Sequence, residues 1–80
     1  MDWTYIGNSN YEARDDIART VAWICLTPHA GWAARVDVET TMTRYTATNR
    51  HSGIESQAAA QAWCEKALVA LQAVAEGLDG

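Results

Sequence analysis

Long apolar runs are missing from this 80-residue sequence. The longest, such as Thr20–Leu26, fall far short of the roughly 20 residues that a membrane-spanning helix needs. No membrane association is therefore expected. The amino-terminal Met-Asp-Trp-Thr-Tyr has neither a basic region nor an apolar one, so it does not read as a secretory signal, and a cytoplasmic location is expected. Basic residues are also scarce, six against ten acidic for a net charge of −4. Arg14, Arg19, Arg35, Arg44, Arg50 and Lys66 are scattered, with no cluster of three. That distribution opposes non-specific attachment to DNA or RNA, and no direct nucleic-acid contact is expected. Linkers, internal repeats and low-complexity tracts are absent.

What is present is a large apolar content. Hydrophobic residues make up 49% of the chain, with four Trp and three Tyr, well beyond a disordered acidic segment. The expectation is one domain over residues 1–80. A chain of this size buries only about 60% of its unfolded surface, so its stability is modest.

Two hydrophobic rhythms organise the chain. Trp32, Ala34, Val36 and Val38 alternate with Arg35, Asp37 and Glu39, the period of two of a strand with one buried face. From Ser56 onward the period changes. Ala60, Cys64, Ala67, Leu71, Val74 and Leu78 recur at steps of four and three, one stripe of a helix. Ser56 is placed to cap that helix, Ile54 to staple it, and Gly77 to end it near Glu76.

The rest of the chain reads as further strands. Asp2–Ile6 and Tyr11–Arg14 form a hairpin through the turn residues Gly7-Asn8-Ser9-Asn10. Ile17–Thr27 is β-branched and apolar on both faces, which predicts a central strand covered on two sides. Pro28-His29-Ala30-Gly31 turns the chain into Trp32–Thr41, then Met42–Arg50, with His51-Ser52-Gly53 as the loop into the helix. A helix over Tyr11–Trp23 is the alternative, since Tyr11, Asp15, Ala18 and Ala22 also fit a helical stripe. The predicted class is α+β, an antiparallel β-meander of four to five strands covered by one C-terminal helix.

No residue pattern announces chemistry. Cys25 and Cys64 occupy apolar periodic positions and read as buried, unreactive thiols; a disulfide between them is the alternative. Cys25, His29, His51 and Cys64 have the residue types of a zinc site but not its spacing. Asp15-Asp16 with Glu12 lack the further oxygen ligands that a magnesium site needs. No cofactor, no metal and no catalytic residue are therefore expected.

Two resemblances follow. The stretch Gly53-Ile-Glu-Ser56-Gln-Ala-Ala-Ala60-Gln, with Ala67-Leu68, resembles the end of double-stranded-RNA-binding domains. Where that family carries phosphate-binding Lys, this sequence has Gln57, Ala58 and Gln61, so the likeness does not imply RNA binding. The surplus of aromatic residues on a sheet with one covered face points instead to protein contact, with some apolar residues of Ile17–Leu26, and Tyr5, Tyr11 or Tyr45, on the open face. Asp15, Asp16, Arg35, Asp37, Glu39 and Arg44 are the candidate partner-binding residues.

The whole plan, a small acidic meander capped by one helix, resembles phage and mobile-element proteins of the anti-CRISPR type. The resemblance implies a non-enzymatic inhibitor that occludes a CRISPR effector subunit. A regulatory or antitoxin-like subunit acting through its sheet edge, or a homodimer packed sheet to sheet, is the alternative.

Overall fold

The computed structural model describes residues 2–15, 20–29 and 31–79. Its elements follow in chain order as β1 (Trp3–Gly7), β2 (Asn10–Arg14), β3 (Thr20–Thr27), β4 (Gly31–Glu39), β5 (Arg44–Ile54) and α1 (Gln57–Asp79). The five strands form one antiparallel sheet in sequence order. This is the expected α+β meander under a C-terminal helix.

Local chemistry sets the turns. Asn8 and Ser9 both adopt positive φ, at 52° and 60°, between β1 and β2, the conformation that a two-residue hairpin turn requires. Asn10 Nδ2 secures the turn by donating to the carbonyls of Gly7 and Asn8 at 3.1 and 3.2 Å. Between β3 and β4, the Thr27 hydroxyl donates to the Gly31 carbonyl at 2.6 Å. Between β4 and β5, Thr40 Oγ1 accepts from the backbone amides of Met42 and Thr43.

The helix lies chiefly over β4, with β3 and β5 to either side. Ser56 caps it as expected, its hydroxyl accepting from the Ala59 amide at 3.1 Å. Small residues allow a close approach: Ala13, Ala22, Ala34 and Ala60 surround Ile24, Val36 and Cys64, all buried. Cys64 Sγ comes to 3.9 Å from the Trp23 carbonyl and 4.0 Å from that of Arg35, so the helix rests almost directly on the sheet backbone.

Several boundaries differ from the sequence reading. The stretch Tyr11–Arg14 is a strand and Trp23 lies in β3, which removes the helical alternative. His51-Ser52-Gly53 is not a loop but the far end of β5, where the pairing with β4 jumps from Ala34↔Asn49 to Trp32↔Ile54. This irregular end fits Gly53, whose φ is +58°. Gly77 does not stop the helix, which continues to Asp79. The buried stripe passes through Ala75 rather than Val74, which is 46% exposed. Because 3.6 residues make a turn, a seam kept in steps of four and three drifts as the helix lengthens.

Candidate functional site

Register divides the sheet into two faces with different chemistry. The pairs Ala13↔Ala22, Ala22↔Val36 and Ile24↔Ala34 point toward the helix. The next row on the opposite face runs through every strand as Thr4, Glu12, Trp23, Arg35 and Thr48. Among the described residues no element packs on that side. The central strand is therefore covered on one side only, against the expectation from its sequence.

The open face is built around Trp23 and Arg35. The Arg35 guanidinium carbon lies 5.2 Å from the indole centroid, within cation–π range. The same guanidinium makes a two-point contact with Asp37, through Nε at 3.2 Å and Nη2 at 3.1 Å. Asp37 is held from its other flank by the Thr46 hydroxyl, which donates to Oδ1 at 2.8 Å. Glu12 and Arg14 pair at 2.8 Å on β2, and Glu39 and Arg44 at 3.8 Å across the β4–β5 turn. Each of these three acids thus has an arginine beside it.

Next to Trp23 lies a concave groove of about 260 Å³. Ile6, Asn10, Cys25 and Ala33 contribute side chains to it, and the backbones of β2, β3 and β4 floor it. Cys25 is thus half-buried on the open face rather than in the core. Cys64 lies beneath the opposite face, and both thiols are free. The sheet between them removes the disulfide alternative. Burial pushes the Cys64 thiol up to about 11, with its hydrogen bond to the Arg35 carbonyl among the smaller influences.

Of the residues that the sequence singled out, Arg35, Asp37, Glu39 and Arg44 come together on this face. Asp15 follows the end of β2, and Asp16 lies outside the described residues. Tyr5, Tyr11 and Tyr45 do not share the open face. Register puts them on the helix side, where Tyr5, Tyr11 and Trp32 form a row with ring centroids 5.1 and 6.1 Å apart. The expectation that apolar residues of the Ile17–Leu26 strand reach the open face holds for Trp23 and Cys25, but the sequence did not single them out, and it did not pair Glu12 with Arg14. Trp23 sits inside a continuous apolar run that hides its direction. Its alignment with Glu12 and Arg35 emerges only from cross-strand register. Among the described residues no three His, Cys, Asp or Glu side chains converge as a metal site, and no helix is long and apolar enough to cross a membrane.

No protein-family model matches this chain, no curated protein matches it, and no solved structure matches it.

Proposed function

We propose that this chain is a non-enzymatic protein-binding inhibitor that works by occlusion in the cytoplasm of a bacterial host, with the open sheet face as its docking surface. The observation that carries the reading is the Trp23–Arg35 stack at the centre of an uncovered face. Trp and Arg are the residues most enriched among the energetic anchors of protein interfaces. Around that centre, arginines and carboxylates are already paired, so a partner covers charges that keep their counter-ions. An interface that buries an unpaired charge is far costlier. Alternating signs also favour a mixed partner surface over mimicry of nucleic acid, which calls for a uniformly negative field.

The target class, a CRISPR effector subunit, rests on the layout resemblance alone, so face and target are tested separately. Tagged protein is used to capture partners from a bacterial lysate that contains CRISPR effector complexes, and the bound proteins are identified by mass spectrometry. Wild type is compared with Trp23→Ala, with Arg35→Glu, and with Val69→Asp on the exposed side of the helix. Stoichiometric recovery of an effector subunit by wild type and Val69→Asp, but not by the two face variants, supports both parts. The same dependence with another bound protein keeps the face and discards the target. Equal recovery by all four proteins removes the face from the interface.

The reading as a regulatory subunit that acts through its sheet edge has one feature in its favour. β5 is an outer strand, and outer strands are templates for an added partner strand. Thr48→Pro would block such addition while leaving the Thr46–Asp37–Arg35 contacts in place.

A further inference from the structure

We propose that two copies of this chain pair through the open face, sheet against sheet, and that pairing masks the surface with which the chain meets its partner. The inference rests on the docking reading above and adds a second occupant for the same face.

Charge is the first argument. Among the described side chains, Arg14, Arg35 and Arg44 pair with Glu12, Asp37 and Glu39 on this face, a local balance in a chain whose net charge is −4. Two copies that met through a net acidic surface would repel each other. Here they meet through paired charges of alternating sign. In a two-fold contact the same patch serves both partners, so residue i meets j and j meets i. A patch with equal numbers of each sign can satisfy that condition against itself. The groove beside Trp23 has the same property, because each copy offers both an indole and a socket of about 260 Å³.

Area is the second argument. Five strands spaced by about 4.8 Å and averaging about 26 Å in length give a footprint of about 600 Å² per copy. The two copies together cover about 1,200 Å², the lower edge of the range for specific interfaces. That area supports a reversible dimer with a micromolar dissociation constant, which suits a surface that must also open to a different protein. Sheets packed this way lie about 10 Å apart with their side chains interdigitated.

Cys25 reports on the face without any mutation. It lines the groove, whereas Cys64 is fully buried and its thiol is held in the neutral form, so alkylation under native conditions reads Cys25. Wild-type protein is treated with N-ethylmaleimide at concentrations from about 1 μM to about 1 mM and followed by intact-mass spectrometry, with light scattering in parallel. The expected result is a doubling of mass with concentration and a fall of about tenfold in the Cys25 rate, since thiol reactivity follows access. A monomer throughout overturns the proposal. So does a dimer in which Cys25 reacts at its monomer rate, because pairing then uses another surface.

A charge swap provides a second, independent check. One variant carries Arg14→Glu, Arg35→Glu and Arg44→Glu; another carries Glu12→Lys, Asp37→Lys and Glu39→Lys. Each is expected to be monomeric alone and to form a heterodimer when the two are mixed. Circular dichroism establishes that both are folded; if either is not, the wild-type alkylation decides. Failure of pairing leaves the capture experiment above unaffected, and failure of capture leaves the dimer measurable, so the two readings fall separately.

Discussion

At the scale of single residues, the strongest constraint sits on Cys64. Its side chain is fully buried between helix and sheet, and its thiol is raised from 9.0 to about 11 by that burial. An acid whose folded value is raised binds its proton more tightly in the native state. Its contribution to stability is therefore complete below the unfolded value and is lost as pH rises through the folded one. Stability should fall between about pH 9 and pH 11 by about 2–3 kcal/mol from this group alone. Denaturant melts of wild type and Cys64→Ala across that window check the expectation. The difference between the two proteins should be constant below pH 8.5 or so and shift steadily against wild type above it; a constant difference throughout removes Cys64 as the source. A second residue is constrained by space. A Cβ on Gly31 would lie 2.7 Å from the Ile54 carbonyl oxygen, and its φ is +75°. Gly31→Ala should cost about 2–4 kcal/mol through strain and collision with backbone. Gly77 has open space around it inside the helix, so Gly77→Ala should stabilise by about 0.5–1 kcal/mol. Thermal melts of the two variants should move in opposite directions.

At the scale of elements, the helix stripe makes a graded prediction. Ile24 is 1% exposed under the helix, and Ile24→Ala should cost about 2–5 kcal/mol through the cavity it leaves. Leu71 packs on the core but stays half-buried, so Leu71→Ala should cost less, about 1–2 kcal/mol. Val74→Ala, on the exposed side, should change stability by no more than about 0.5 kcal/mol. Urea unfolding of the three variants checks the order, and a Val74 effect equal to that of Leu71 would mean the stripe follows 74 rather than 75. The strands and helix were legible because alternation in Trp32–Glu39 and the stripe from Ala60 to Leu71 are strong local periodicities. The capping serine was legible for the same reason, since its role is confined to one turn. Direction within β3 was not. Residues 20–27 are apolar throughout apart from the threonines at the two ends, so no period separates Trp23 and Cys25 from Ala22 and Ile24. Only pairing with Glu12 on one side and Arg35 on the other assigns them to the open face. The extent of β5 was hidden by Ser52-Gly53, residues that favour turns but here occupy an irregular strand end. The face residues Arg35, Asp37, Glu39 and Arg44 were readable because strand alternation put three of them on one side and the hairpin returned the fourth.

At the scale of the whole molecule, one layer of helix over one layer of sheet leaves a single thin core. Among the described residues the fully buried side chains larger than alanine are Ile24, Val36 and Cys64, which is little for a chain that must offset its own ordering entropy. Such a domain draws stability from anything that binds its folded form. If the open face pairs with a second copy, that stabilisation follows mass action and grows with protein concentration. Because the chain is its own ligand, free monomer rises only as the square root of concentration, so a hundredfold increase above the dissociation constant adds about 1.4 kcal/mol. For a domain of this size each kcal/mol moves the midpoint by about 4–8 °C, so the melting temperature should rise by roughly 5–11 °C over that range. Scanning calorimetry on wild type from about 10 μM to about 1 mM measures the rise directly. The variant with Arg14→Glu, Arg35→Glu and Arg44→Glu supplies the control. It leaves Glu12 and Asp37, whose side chains are only 13% and 12% exposed, without their arginines and beside new negative charge, so its midpoint at low concentration should lie clearly below wild type. Its midpoint should then stay fixed as concentration rises, because six like charges on each face oppose pairing. A concentration dependence shared equally by both proteins would assign the association to a surface other than this face, and none in either would leave the chain a monomer with its face free.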